Sequence, residues 1–225
     1  MKIFNKQIVF LLILLLSVGS CMEEIDVTEG QDPNTNNKDS ETTTNYKRVG
    51  MHDGSDDDFI DETSCSSIKF PYSLSANNIP LTLSSIADYQ LVKDIFNLSS
   101  IDVDTIVFNF PITIINQDYS ETIITNLEAL NSVTDTCNIT ILNNLNAITC
   151  VDIVYPIKIS LFNLDTDQTT IISVENDEAL FNFMNNLSEN IVYSVQYPIN
   201  VLSNTITSAI SSDTDLKSII DSCIN

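Results

Sequence analysis

The feature that most constrains the fold is an aromatic–proline pair that recurs four times along the chain. The pairs are Phe70-Pro71, Phe110-Pro111, Tyr155-Pro156 and Tyr197-Pro198. Each pair lies within a run in which apolar residues alternate with other residues, and a period of two is typical of a β-strand with one buried face. The aromatic residue falls on the apolar face and the proline on the opposite face. Since proline has no N–H for a strand ladder, we expect these strands at a sheet edge or a bulge.

After each alternating run, the sequence predicts a turn, a second short strand and an amphipathic helix. In the third unit, Asn163 to Asp167 supplies residues that tolerate left-handed dihedrals, and Thr169 to Val174 is rich in β-branched residues. Asn176 or Asp177 can cap the helix that follows. The other helices are expected to start at Asp88, Asn126 and Ser212. The chain is therefore predicted to be α+β, with strand-strand-helix units whose antiparallel sheets carry helices on one face.

Two pairs of cysteines bracket these units at nearly equal intervals. Cys65 and Cys137 are 72 residues apart, and Cys150 and Cys223 are 73 apart. The first cysteine of each pair precedes an aromatic–proline pair by the same offset. These matches indicate two tandem copies of a ββαββα unit, and they favour disulfides within each copy, Cys65 to Cys137 and Cys150 to Cys223. A Cys137–Cys150 bond is the alternative, and zinc is disfavoured because no Cys-x-x-Cys spacing is present.

The duplication sets the domain boundaries. The first repeat domain is expected to span residues 65–137 and the second residues 150–225, with a linker at 138–149. Residues 21–64, which precede them, are rich in Asp, Asn, Thr and Ser and poor in large aliphatic side chains. Such a segment buries too little apolar surface to offset the entropy lost on ordering, so we expect a disordered acidic tether.

The first 20 residues have the organisation of a secretory signal peptide, in which a basic start precedes an apolar run too short to span a bilayer. The stretch ends in Val18-Gly19-Ser20-Cys21. This tetrapeptide resembles the lipobox of bacterial lipoproteins, in which the cysteine is acylated and becomes the first residue of the mature chain. We therefore expect lipidation at Cys21 and a membrane anchor of fatty acyl chains. An ordinary secreted protein is the alternative.

The acidic residues Glu23 and Glu24 follow the cysteine directly. They resemble the export signal that sends lipoproteins of the Bacteroidota to the outer face of the outer membrane. The chain is accordingly expected to be an outer-membrane lipoprotein exposed at the cell surface. The alternative interpretation is that these acids only begin a solvated tether.

From Cys65 to Cys223, the pattern of cysteine, aromatic–proline strand, hairpin and acid-capped helix resembles a group of repeat-containing surface lipoproteins of the Bacteroidota. Where those relatives carry Asp-Gly in the hairpin turn, this chain has Asp165-Thr166-Asp167. The resemblance implies architecture and location, and it brings no catalytic residues with it.

The distribution of rare residues excludes several classes of function. All four glycines, together with the single histidine and the single arginine, lie before residue 65. The predicted repeat domains therefore lack glycine-rich phosphate-binding loops, and they lack catalytic sites and metal sites that use histidine. No nucleotide, cofactor or metal is expected. A net charge of -22 also disfavours nucleic acid as a partner.

The chemistry that remains is based on carboxylates. A pair of acids, as in glycoside hydrolysis, would have to come from a set that falls mostly at turns and helix starts, where capping also explains acids. The set is Asp152, Glu175, Asp177, Glu178 and Glu189. Two acidic stretches, Asp53 to Asp58 and Asp165 to Asp167, are weak candidates for calcium because neither has a complete ligand loop. Asp104-Thr105-Ile106 resembles a short O-glycosylation site of the same bacterial group.

Aromatic side chains are the usual platform for sugars, and the chain has no tryptophan. Tyr72, Tyr155, Tyr193 and Tyr197 fall on faces assigned to the core, whereas Tyr89 and Tyr119 are expected to be exposed. The leading hypothesis is a lipid-anchored, noncatalytic binding or structural module with a surface glycan or protein as partner. The alternatives are a carboxylate-based glycan-active enzyme and an accessory lipoprotein subunit of an outer-membrane complex.

Overall fold

The computed structural model describes residues 32–99, 101 and 103–224. Asn34–Asn225 forms one compact unit. Its described part contains six α-helices and twelve strands, and the strands form four three-stranded antiparallel sheets. The predicted α+β class with antiparallel sheets is therefore confirmed. The predicted signal peptide and lipidation site, residues 1–20 and Cys21, lie outside the described residues.

The helices and strands alternate in blocks along the chain. The helices are α1 (Glu41–Val49), α2 (Asp58–Asp61), α3 (Tyr89–Phe96), α4 (Leu127–Leu142), α5 (Asp177–Asn185) and α6 (Asp213–Ile224). The strands before α4 are β1 (Ser66–Ile68), β2 (Tyr72–Ala76), β3 (Ile79–Leu83), β4 (Ile106–Phe108), β5 (Ile112–Asn116) and β6 (Glu121–Ile124). Those after α4 are β7 (Asp152–Val154), β8 (Ile157–Asn163), β9 (Gln168–Val174), β10 (Ile191–Val195), β11 (Ile199–Ser203) and β12 (Ile206–Ile210).

Each alternating run is divided into two strands at its proline, and the aromatic–proline peptide bond is cis in all four runs. The expectation of one continuous strand is therefore wrong. Ile68 before the break and Leu74 after it are both buried, so the apolar alternation continues through the break. Periodicity alone could not reveal the division, because the side chains keep their period while the backbone leaves one sheet and enters another.

The two strands of each run belong to different sheets. Strand β1 pairs with β5 in the sheet β1-β5-β6, whereas β2 pairs with β4 in the sheet β3-β2-β4. After α4, β7 pairs with β11 in the sheet β12-β11-β7, and β10 pairs with β8 in the sheet β10-β8-β9. Every hairpin thus takes its third strand from another alternating run. The expectation that each strand-strand-helix unit builds its own sheet is wrong in this respect.

The hairpin turns and helix starts follow the predicted chemistry. Asp167 has a φ of 53° in the turn between β8 and β9, so a left-handed position is filled without glycine. Asn126 and Asn176 accept hydrogen bonds from the N–H groups of Ala129 and Ala179, both at 2.9 Å, as N-caps do.

Each of two disulfides links the start of one half of the folded unit to the helix at the end of that half. Cys65 is joined to Cys137, and Cys150 is joined to Cys223, which is the pairing that the equal spacings favoured. Helix α4 continues to Leu142, past Cys137, so the predicted linker 138–149 begins as helix rather than as a loop.

Two separate hydrophobic cores lie between the sheets and their helices. The first contains Ile68, Leu74 and Val92 from the region before α4. The second contains Ile159 and Leu180 from the region after it. Each core also takes side chains from the segment that was expected to be a tether.

Residues 34–64 are part of the folded unit, so the predicted disordered tether is wrong over this range. Helix α1 begins after the N-cap Ser40 and buries Tyr46 and Val49 in the second core. Helix α2 buries Ile60 in the first core. The composition of the segment is polar, but a few large side chains suffice to order it because they dock on cores that the rest of the chain supplies. Residues 34–50 are called the strap below.

Candidate functional site

The strap is fixed to the second core by tyrosine hydroxyls. The Tyr46 and Tyr197 hydroxyls are 2.8 Å apart, and Tyr197 donates to Oδ1 of Asp213 at 2.5 Å. The Thr43 and Tyr193 hydroxyls are 2.9 Å apart. Burial raises the pKa of both Tyr46 and Tyr197, so these hydroxyls remain protonated donors at neutral pH. The network therefore holds the strap in one position rather than presenting reactive groups.

The strap also extends a sheet. Asn36 and Tyr193 exchange two backbone hydrogen bonds, of 2.7 and 2.8 Å, at the edge of β10. The Asn36 side chain donates to Oδ2 of Asp213 at 2.6 Å. This stretch of β10 edge is thus occupied by the protein's own chain and is closed to an added strand at this point.

The five candidate carboxylates differ in their contacts and in their exposure. Glu189 pairs with Lys38 at the surface at 2.5 Å, and Glu175 accepts a hydrogen bond from Ser173 at 2.6 Å. Glu178 is exposed in the first turn of α5. Asp152 lies near enough to Asp177 for the charge of Asp177 to raise its pKa, although burial contributes more.

The environments of Asp152 and Asp177 change the pKa of both carboxyls in the same direction. Burial raises the pKa of Asp152, and the charges of Asp177 and Asp53 add to this effect. Burial also raises the pKa of Asp177, although the Tyr155 hydroxyl, which donates to it at 2.7 Å, opposes the change. Glycoside hydrolysis needs one protonated and one ionised carboxyl across a substrate cleft. Neither acid lines any of the four described pockets.

The described pockets are not shaped around reactive groups. The largest has a volume of about 480 Å³ and lies beside the Cys65–Cys137 disulfide. Its lining is mostly amide, hydroxyl and apolar, with Asp118 as its one acidic member.

The tyrosines do not offer a sugar platform. Tyr89 is 4% exposed, so the expectation that it is exposed is wrong. Tyr119 is half-buried, and its hydroxyl donates to the Gly50 carbonyl at 2.9 Å. Tyr72 and Tyr193 are buried as predicted. The aromatic faces thus serve packing and strap attachment.

The most unusual acids are Asp57 and Asp61, which the sequence analysis did not single out as buried. Asp57 is fully buried and Asp61 is 6% exposed. Oδ2 of Asp57 accepts the Ile68 N–H at 2.8 Å, and Oδ1 of Asp61 accepts the Thr63 N–H at 3.1 Å. Burial raises the pKa of Asp57 to about 6. Burial, with the nearby Asp57 charge, raises the pKa of Asp61 to about 8.

One sequence signal was available for this pair. Asp57 and Asp61 are four residues apart, as two side chains on one helical face are, and Phe59 and Ile60 lie between them. The surrounding run of exposed acids hid this spacing, because Asp53 and Asp56 have the same residue type and face solvent.

The other two sequence candidates are on the surface. Asp165 and Asp167 are exposed, and Asp165 accepts a hydrogen bond from Asn190 at 2.6 Å. Thr105 of the possible glycosylation site is exposed just before β4. In the part of the chain that the structure describes, no three His, Cys, Asp or Glu side chains are arranged to hold a metal ion.

Comparisons with known proteins add no relative: no family model, curated protein or solved structure matches the chain. Within residues 32–99, 101 and 103–224, no helix is both long and apolar enough to cross a bilayer.

Proposed function

We propose that the protein is a lipoprotein of the outer membrane, anchored through Cys21 and exposed at the cell surface, whose folded unit acts as a noncatalytic binding or structural module. The observation that carries this proposal is Val18-Gly19-Ser20-Cys21 directly after a short apolar run. Glu23 and Glu24, directly behind the cysteine, support export to the outer surface.

The position of the folded unit refines this proposal. The unit begins at Asn34, which is 13 residues after Cys21 (34 − 21). A chain of this length spans at most about 45 Å when fully extended. The start of the folded unit would therefore lie no more than about 45 Å from the anchored residue, a shorter reach than the whole predicted tether of residues 21–64 would allow.

The noncatalytic role is supported by what the candidate groups contact. Glu189 pairs with Lys38, Glu175 accepts a hydrogen bond from Ser173, and Asp177 and Glu178 lie in the first turn of α5. The hydroxyls of Tyr46, Tyr193 and Tyr197 hold the strap.

We also infer that the two halves are copies produced by an internal duplication. The separations of 72 and 73 residues between bonded cysteines support this. The pairing scheme supports it as well, since β1 with β5 corresponds to β7 with β11, and β2 with β4 corresponds to β8 with β10. Such an origin is in keeping with the resemblance to repeat-containing surface lipoproteins.

The anchor and its location are tested together. Mass spectrometry of the mature protein is expected to find an acylated N-terminal Cys21, and the Cys21→Ser variant is expected to lose the acyl chains. Protease added to intact cells is expected to cleave the wild-type protein, with a periplasm-facing lipoprotein as the uncleaved control. An unacylated mature N-terminus would refute the anchor, and protection from protease would refute surface exposure.

The enzyme alternative rests on one observation, the proximity of Asp152 to Asp177. It predicts hydrolysis of an envelope or environmental glycan that disappears in Asp177→Asn. Glu189→Gln is the matched control, because Glu189 is exposed and pairs with Lys38 rather than with either of these two acids. Activity that survives Asp177→Asn would remove this alternative.

A further inference from the structure

The turn Ser55–Asp57 and helix α2 contain two buried acidic side chains for which the described residues provide no ion-pair partner. Asp57 and Asp61 are both buried, as reported above. None of the ion pairs in the described part involves either residue. Burying two carboxylates without a positive partner costs several kcal/mol for each charge. The folded segment therefore requires a cation or a proton at this place.

The segment that contains these two acids also contains buried oxygen atoms for which the described structure shows no hydrogen-bond partner. The buried unpartnered atoms are Oδ1 of Asp57, Oδ1 of Asp58, Oδ2 of Asp61, Oγ1 of Thr63, Oγ of Ser66 and the hydroxyl of Tyr72. Such groups are rare in folded proteins, because each loses its contact with water without replacement. Here all six come from one stretch of sixteen residues, 57–72.

The contacts of these side chains bring them toward the two acids. Burial raises the pKa of Tyr72 most, and Tyr89 and the charges of Asp57 and Asp61 raise it further, so its hydroxyl lies near both acids and near Tyr89, which also contacts Asp57. Thr63 lies beside Asp61 through its N–H, and Ser66 lies against the turn, with its backbone in contact with Gly54. Thr63, Ser66 and Tyr72 are each at least nine-tenths buried.

We propose that Asp57, Asp61 and the hydroxyl groups beside them form a binding site for a hard divalent cation, and that calcium is the ion that fits. Calcium accepts six to eight oxygen ligands in flexible geometry, whereas magnesium requires a near-ideal octahedron and gives up its water reluctantly. A proton shared by the two acids would satisfy two of the six oxygens, whereas a calcium ion can use carboxylate and neutral oxygens together.

The ligand set predicts a weak site. Since only two fully buried carboxylates contribute, the dissociation constant is expected near 10⁻⁴ to 10⁻³ M, about the value of extracellular calcium modules. The ion would tie α2 to β1 next to Cys65, and so would stabilise the first core. This inference is independent of the anchor, since it concerns the folded unit alone.

The test uses the detergent-solubilised mature protein with calcium chloride as the probe. Isothermal titration is expected to give one site per chain, and 5 mM calcium is expected to raise Tm by about 2–8 °C over EDTA, with a smaller effect of magnesium. Asp61→Asn is expected to remove both signals. Asp56→Asn, an exposed acid of the same run, is the matched control and is expected to keep them.

Two outcomes would overturn the proposal. The first is a wild-type protein whose Tm and titration heats do not respond to 10 mM calcium, which would leave a shared proton as the neutralising group. The second is an Asp61→Asn variant that binds calcium like the wild type. Asn removes charge at nearly constant shape, so the variant is expected to fold; titration of the wild-type protein decides the matter if it does not.

Discussion

At the scale of single residues, environment separates acids that the sequence cannot tell apart. Asp56 and Asp57 are neighbours, yet the first faces solvent and the second is fully buried. The sequence identified the acidic run, but which of its members is buried depends on how the turn Ser55–Asp57 packs on β1. For the same reason, the five candidate carboxylates could be named from sequence, but the proximity of Asp152 and Asp177 could not.

The buried acids predict a pH dependence of stability in the absence of calcium. The folded protein holds a proton on Asp61 more tightly than the unfolded chain, because its pKa is raised to about 8. The resulting stabilisation is present in full below about pH 4 and is lost as the pH rises through about 8.

In EDTA, Tm is therefore expected to fall by about 5 °C or more between pH 5 and pH 8.5. The Asp61→Asn variant is expected to show a flatter profile, since Asn does not titrate. Thermal unfolding followed by circular dichroism measures both curves. Equal slopes for the two proteins would contradict the role given to Asp61.

Gly54 provides a second prediction at this scale. A Cβ atom at this position would lie 2.5 Å from the backbone N and O of Ser66. Backbone atoms cannot move aside without disturbing β1, so Gly54→Ala is expected to lower the free energy of unfolding by about 1–3 kcal/mol. Urea denaturation measures the loss, and Ser55→Ala, at an exposed neighbouring residue, is expected to change stability by less than about 0.5 kcal/mol.

At the scale of elements, periodicity predicted which residues are buried better than it predicted where strands end. The alternating run through Phe70-Pro71 keeps its apolar face on both sides of the proline, but the backbone changes sheets there. Strand pairing depends on which edges meet in space, and this information is not contained in a local pattern.

The strap is the element that composition misjudged, and Tyr46 is its main anchor. Tyr46→Ala is expected to lower the free energy of unfolding by about 3–5 kcal/mol, because a large aromatic side chain leaves the second core. Tyr46→Phe removes only the contact with the Tyr197 hydroxyl and is expected to cost about 0.5–1.5 kcal/mol.

Limited proteolysis distinguishes detachment of the strap from general unfolding. Cleavage near Arg48 is expected to become rapid in Tyr46→Ala while the rest of the chain is cut more slowly. The control is Thr44→Ala, an exposed position of the same helix, which is expected to resemble the wild type. Equal cleavage of all three proteins would show that the strap does not depend on Tyr46.

At the scale of the whole molecule, the two disulfides hold each half together. Each closes a loop of more than seventy residues, so each is expected to contribute about 2–4 kcal/mol through the loop entropy of the unfolded chain. Peptide mapping without reductant is expected to recover Cys65 with Cys137 and Cys150 with Cys223. A Cys137–Cys150 peptide would contradict the assignment, and dithiothreitol is expected to lower Tm markedly.

The sequence by itself determined the class of the protein's architecture and its turns and helix caps, and it favoured the cysteine pairing that the structure shows, because these depend on local chemistry and on spacing along the chain. Only the tertiary structure decided that the two alternating runs within each half exchange strands at their prolines, that residues 34–64 belong to the folded unit and that Asp57 and Asp61 are both buried. Those features depend on which surfaces meet in space, and a polar segment becomes ordered when a distant part of the chain offers a core for its few apolar side chains.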